Sequence, residues 1–491
     1  MTADGAAVDA MAPDARAALE AWRARRAWDG GRGGPASGAA GPTVVARAPG
    51  RLDLLGGIAD YSGSEVLQRP IAEAAVAIAR RTADDAFSAT SEREGRTERV
   101  VLPMALFRIG GPCATPRGAR RFLERGVAPD GTPLPDWTGY VAGALVLLVH
   151  GAGLRPDAGI EIALRSDVPE GKGVSSSAAI EVASAGALAR LHGLDPDGAH
   201  LARLCQRAEN EVVGAPCGLM DQMTSALGKA GSLFALHCVP DRVLDPVPMA
   251  GGFAAWGIDS GVRHAVGGAD YGSVRVGAFI GYRLLLEVAG IAGASVAAAD
   301  VVDERWGGYL ANATPSELDG AYGDVLPERM RGADFLARFD AITDTVTHVD
   351  PDRDYAVRGS TRHPVLERQR VRVFRQLMPR LAAATDERAR DDVARTMGEC
   401  LYGSHAGYGA CGIGSRATDA LVAAVRAAGP DAGLYGARIS GGGSGGTVAV
   451  FGRAGADAEV RRIAAEHRSR TGAGGHVFAG GSDGLRTWLL D

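Results

Sequence analysis

The run Gly159–Ala183, GIEIALRSDVPEGKGVSSSAAIEVA, constrains the fold of this chain more than any other stretch. It starts as an alternation of apolar and polar residues, breaks at Pro169, turns through Gly171 and Gly173, and continues into a long helical stretch, Ala178–His192. That order is strand, loop, helix, with the loop at the first turn of the helix. Gly171 and Gly173 let the backbone turn tightly and approach an anion, while Ser175, Ser176 and Ser177 set hydroxyls and free N–H groups at the helix start. Such a loop can cradle a polyphosphate. It lacks the G-x-x-x-x-G-K-[ST] spacing of P-loop NTPases, and the same pattern also reads as a capped helix start after a glycine turn. Lys172 sits between the two glycines, where an ammonium reaches a phosphate oxygen or simply stands in solvent. Lysine occurs elsewhere only at Lys229, so nearly all positive charge is arginine, and this favours a functional Lys172.

The 491 residues suffice for two or more cores, and 46% hydrophobic with 23% charged residues is an ordinary globular balance. A formal net charge of −5, with no Lys or Arg run to offset it, gives no footprint for nucleic acid. Six scattered cysteines form no CxxC pair and have no His partner at zinc spacing, so reduced, buried thiols are expected. No basic segment followed by an apolar core opens the chain, and Tyr140–Leu154 is too short and too interrupted to span a bilayer. A cytoplasmic protein without a membrane partner is expected.

Residues 1–42 read as a flexible extension containing an amphipathic helix, DARAALEAWRARRAW, and a Gly/Ala/Pro/Ser linker from Gly30 to Pro42. From Thr43 strands and helices intermix in both halves, which divide as residues 43–250 and 251–491, and no repeat of 20–50 residues is present. EVLQRPIAEAAVAIARR reads as strand pieces, WTGYVAGALVLLVHGAG as a helix, and Ser273–Ala289 and Val371–Ala383 as further helices.

Three more stretches carry candidate chemistry. Ala208–Met223, AENEVVGAPCGLMDQM, separates Glu209 from Asp221 by a reversal of the chain. One carboxylate of such a pair can hold a divalent ion while the other meets a substrate hydroxyl, although two solvated acids would look the same. Ile439–Phe451, ISGGGSGGTVAVF, is a second glycine-rich turn, suited to close backbone approach at Gly442 and Gly443 or to a plain hairpin. Ala48–Tyr61, APGRLDLLGGIADY, offers Arg51, Asp53 and Asp60 as polar groups around a gap at Gly57, Ile58 and Ala59.

In this order the loops resemble the GHMP kinase superfamily, with APGRLDLLGG, PEGKGVSSSAA and ISGGGSGG as its three motifs. Pro216-Cys217-Gly218 followed by Met220-Asp221-Gln222, together with SGVRHAVGGADYGSVR (Ser260–Arg275), resembles the galactokinase-like branch. The resemblance implies a two-domain α/β (α+β) fold, with an N-terminal domain like ribosomal S5 domain 2 and a ferredoxin-like C-terminal domain. It implies ATP-dependent phosphorylation of a sugar's anomeric hydroxyl. The implied nucleotide loop is Glu170, Gly171, Lys172, Gly173, Val174, Ser175, Ser176, Ser177 and Ala178, with Gly442 and Gly443 opposite. Ser177 and Glu209 would hold Mg²⁺, Arg51 would meet the transferring phosphoryl group, and Asp221 would stand beside the anomeric hydroxyl. Asp53, Gly57, Ile58, Asp60 and Tyr271 would contact the sugar. The partners are then a small-molecule sugar and ATP, in a monomer or weak homodimer.

Galactokinases carry Gly-Glu-His-Thr-Asp-Tyr in the first motif, and the Glu-His pair binds the 6-hydroxyl of galactose. Here those positions are Gly56, Gly57, Ile58, Ala59, Asp60 and Tyr61. L-arabinopyranose has the galactose ring stereochemistry without the hydroxymethyl group, so it suits a pocket that has lost only that grip. TRHPVLE (Thr361–Glu367) and YGACGIGS (Tyr408–Ser415) add a likeness to the kinase region of L-arabinokinases. The alternatives are a galactokinase, a uronic-acid 1-kinase, which would want a cation near Gly57–Ala59, and a non-catalytic sugar sensor, which should have lost Arg51, Ser177, Glu209 or Asp221.

Overall fold

Two long alternating segments, Thr43–Leu55 and Glu65–Thr82, pair antiparallel and form the spine of the molecule in the computed structural model, which describes residues 3–29, 41–93, 96–263 and 269–491. The second is one unbroken strand of 18 residues where pieces were expected, because its β-branched and alanine positions are covered from both sides. The sheet runs in the order Arg486–Leu490, Thr43–Leu55, Glu65–Thr82, Gly159–Ser166, Ala86–Arg93, Arg96–Pro103, and Ser232–His237 joins the near end of Glu65–Thr82. A second, antiparallel sheet runs Leu434–Ile439, Thr447–Arg453, Phe253–Asp259, Val477–Phe478. We propose the division between these sheets, near residue 250, as the domain boundary, with the last strand returned to the first sheet.

The helix Ser176–Leu191 lies against the first sheet and Thr138–Gly151 packs on that helix, and both are apolar nearly all round because they are buried on most faces. One apolar core links the sheets: Phe451 stacks on Phe253 at 5.6 Å between centroids and meets Phe374 edge-on at 5.3 Å. Phe374 belongs to the helix Val357–Ala383, which begins at Val357 rather than at the expected Val371 and runs through Pro364 and Pro379.

The N-terminal extension is not wholly loose. Residues Ala3–Asp9 and Pro13–Asp29 are helical, and Met11, Ala15, Ala18 and Leu19 bury one stripe against Val45, Val76 and Ile78 of the sheet. The Arg47 guanidinium pins this stripe by donating from Nε to Asp14 at 2.7 Å. The linker expected over Gly30–Pro42 lies outside the described residues up to residue 40. The span 303–358 packs with the helix Ala269–Val288 in a separate core containing Trp306, Tyr322, Phe335 and Phe339. No helix among the described residues is long and apolar enough to cross a membrane.

Candidate active site

The glycine loop after Gly159–Ser166 reaches the helix Ser176–Leu191 through three left-handed residues, Gly171, Gly173 and Ser175, with φ of 65°, 68° and 61°. Only Ser175 has a side chain to strain there, at a cost of about 1–2 kcal/mol, and its hydroxyl donates to Asp221. Arg51 locks the loop from the other side, since its N–H donates to Val174 O at 3.0 Å and its Nη1 to Gly173 O at 2.7 Å. Thr447 of the second glycine hairpin donates to Lys172 O at 2.8 Å. Three distant segments therefore close on one another, around a cavity of about 600 Å³.

Asp221 is the second residue of the helix Met220–Leu227 and faces Arg51 in a two-pronged pair, Nε to Oδ1 at 2.9 Å and Nη2 to Oδ2 at 2.8 Å. Burial disfavours the Arg51 charge, but Asp221 and Asp53 outweigh it and hold the guanidinium pKa above its ordinary value. Glu209 lies not on a regular helix but in the wide turn Ala208–Val213. Burial raises its pKa to about 6, opposed by a hydrogen bond from the Ser177 hydroxyl. Behind it Glu181 is fully buried, and Gln222 Nε2 bridges the two carboxyls at 3.1 and 2.6 Å. Burial and the neighbouring Glu209 push the Glu181 pKa well up.

At the other end of the cavity stand Ile58, Asp60 and Tyr271. Asp60 is 4% exposed, and burial together with Asp221 raises its pKa to about 7. Tyr271 meets Tyr61 edge-on at 6.2 Å, and Arg275 lies over the Tyr61 ring at 5.1 Å while gripping Asp344 with Nε and Nη2 at 2.7 and 2.8 Å. Residues 264–268 of the same segment lie outside the described residues.

The cavity brings together Arg51, Ile58, Asp60, Tyr271, the run from Glu170 to Ser177, Glu209, Asp221 and Gly442. It does not include Asp53, Gly57, Ala178 or Gly443. Asp53 is the instructive exception. Its side chain is fully buried and turned away, accepting from Gln68 at 2.7 Å, Gly57 N at 3.2 Å, Arg438 Nη1 at 2.7 Å and Gly441 N at 3.2 Å. All its acceptor capacity is spent inside the fold, so the expected sugar contact is corrected to a structural one. Ala178 is buried in the helix, and Gly443 turns against Ile413. Lys172 lines the cavity, but its ammonium pairs with Asp259 at 2.9 Å. Sequence reasoning gave no role to Glu181, Glu367, Tyr408 or Arg438, although Gln222, TRHPVLE and YGACGIGS were already conspicuous.

A glycine loop at a helix start, faced by a cation and by clustered carboxylates in one cavity, has the parts that suit moving a phosphoryl group onto a hydroxyl. A sequence profile of the GHMP kinases N terminal domain matches residues 139–229. The galactokinase of Chloroflexus aurantiacus is 30% identical over 88% of this chain and 90% of its own length. The L-arabinokinase of Arabidopsis thaliana is 40% identical over 90% of this chain, which spans 46% of that protein's length. Among solved structures, Lactococcus lactis galactokinase complexed with galactose aligns over 90% of this chain and 95% of its own, with a TM-score of 0.66 at 19% identity, a likeness of fold. The chain belongs to the GHMP kinase family, in its galactokinase-like branch.

Proposed function

We propose that this chain is an ATP-dependent sugar 1-kinase that phosphorylates the anomeric hydroxyl of L-arabinose. One observation carries the choice of sugar: the cavity wall at the first motif is Ile58, backed by Val274, Ile413 and Ile439, with no side-chain donor or acceptor at 57–59. A 6-hydroxyl buried there without a partner costs about 1–3 kcal/mol, or about one to two decades in affinity. The 40% identity to an L-arabinokinase supports the same sugar.

The loop from Glu170 to Ser177 binds the nucleotide phosphates through its N–H groups, with Gly442 opposite. Mg²⁺ fits at Ser177 and Glu209, hard oxygen donors that already touch, next to buried acceptors without a partner at Glu181 Oε1 and Gln222 Oε1. When bound, the ion neutralises charge on the phosphates. Arg51 stands where the transferring group would pass and stabilises its charge. Asp221, holding three donors from Arg51 and Ser175, accepts from the anomeric hydroxyl and aims it. Asp60 and Tyr271 hold the ring hydroxyls. We further place the protein in the cytoplasm as a monomer or weak homodimer, without nucleic-acid or membrane partners.

The test is a panel of L-arabinose, D-galactose and D-glucuronate with Mg-ATP, following ADP release and identifying the product as a 1-phosphate. L-arabinose should lead by at least about tenfold in kcat/KM. A lead for galactose would establish the galactokinase reading, which the match over 90% of the Chloroflexus aurantiacus enzyme supports.

A further inference from the structure

Glycine at position 57 is enforced by a residue distant in the chain, Tyr408. A Cβ there would lie 1.9 Å from the Tyr408 hydroxyl, 2.7 Å from Arg438 Nη2 and 2.9 Å from Asp53 Oδ2, and the φ of +31° disfavours any side chain. Tyr408, on the helix Glu387–Ala410, is fully buried between the His363 ring, edge-on at 5.2 Å, and the Arg438 guanidinium, 4.9 Å from its centroid. Its hydroxyl accepts from Ile58 N at 3.2 Å and donates to Gly441 O at 2.6 Å. Ile58 and Gly441 both line the cavity, so one phenol ties the first-motif loop to the second glycine hairpin. The neighbouring amides are held in the same manner, Gly56 N by Glu367 at 3.0 Å and Gly57 N by Asp53 at 3.2 Å.

We propose that Tyr408 is a specificity-determining positioning residue: its hydroxyl occupies the volume of a side chain at 57 and holds Ile58 as a fixed apolar wall. Tyr408 does not line the cavity and acts through Ile58. This rests on the pentose-kinase reading for the identity of the sugar that the wall selects, but the coupling of Tyr408 to Ile58 is independent of it. A galactokinase-type acidic side chain at 57 and a tyrosine at 408 exclude each other in this backbone, because both need the same space. The loss of the 6-hydroxyl grip is therefore a replacement by a second residue rather than a bare deletion.

Tyr408→Phe keeps the ring packing and removes only the oxygen. The Ile58 amide is then unheld and the wall can retreat. The ratio of kcat/KM for L-arabinose over D-galactose should fall about tenfold, while KM for ATP stays within about threefold of wild type. A ratio that is unchanged or larger, with only a lowered Tm, overturns the proposal and leaves Tyr408 a packing residue. The wild-type panel tests the substrate reading by itself: if galactose leads there, that reading fails, whereas Tyr408 is judged by the change in ratio between variant and wild type. Amide exchange over residues 56–60 in the wild-type chain without sugar needs no variant. Slow exchange is expected for amides donated to buried acceptors, and exchange at the rate of an open loop overturns the claim of a fixed wall.

Discussion

At the scale of single residues, the site separates groups that line the cavity from groups that hold those groups still. Asp221 belongs to both, since it accepts from Arg51 and Ser175 while facing the cavity. Asp221→Asn keeps the shape, replaces one acceptor oxygen with a donor facing Arg51, and should lower kcat by about 10²–10³. KM for ATP should stay within about threefold, and steady-state kinetics in both substrates checks the split. Equal losses in turnover and ATP affinity would place Asp221 in nucleotide binding instead.

Asp60 gives a pH signature. Its pKa is raised by burial from the ordinary 3.8 to about 7, so the folded chain binds its proton more tightly than the unfolded chain. The stability it confers is full below about pH 4 and is lost as pH rises toward 7. Sugar capture has the opposite slope in the proposed role of Asp60, because only the ionised carboxylate is purely an acceptor for ring hydroxyls. Thus kcat/KM for the sugar should rise through about pH 7 and level off, and Asp60→Asn should flatten the profile. A wild-type profile flat between pH 6 and 8 would remove Asp60 from sugar recognition.

Among elements, the span 303–358 gains a purpose from one buried pair. Arg275, on the helix that carries Tyr271, and Asp344, in the span, are 7% and 4% exposed in their side chains. Burial works against the Asp344 charge, but Arg275 holds its pKa below the ordinary value. Asp344→Ala strands a buried guanidinium and should cost about 3–5 kcal/mol by chemical denaturation. Since Arg275 also rests on Tyr61, KM for the sugar should rise more than KM for ATP. A variant of full stability would show that the span docks by its apolar core alone.

Elements of this kind show what a sequence discloses. The strand, loop and helix around Gly171 were legible because alternation, glycine and a helical run are local signals. Glu209 and Asp221 were legible as a candidate pair from the chain reversal between them, whereas the meeting of Arg51 with Asp221, 170 residues apart, left no local signal. Asp53 was misplaced because a carboxylate in a loop motif looks the same whether it faces a cavity or an arginine 385 residues away. Tyr408 had no role for the same reason: nothing around YGACGIGS says that its hydroxyl ends at Ile58. Long-range pairing of buried polar groups leaves no periodicity to read.

Over the whole molecule, the two sheets share a core, and segments of the first half are held by residues of the second: Thr447 on Lys172, and Arg438 on Asp53. The cavity is therefore a property of the assembled chain rather than of either half. The arginine-for-lysine composition then acquires a practical meaning. With lysine at 172 and 229 alone, one side-chain amine sits in the proposed nucleotide loop and the other on the exposed surface, so the chain carries its own two-channel chemical reporter. Limited acylation, read by peptide mass, should mark Lys229 at a constant rate and Lys172 more slowly, because its half-buried amine is held against Asp259 at 2.9 Å. Added nucleotide should silence the 172 channel and leave the 229 channel running, so nucleotide occupancy of the loop becomes a ratio of two peaks that needs no sugar, no turnover and no mutation.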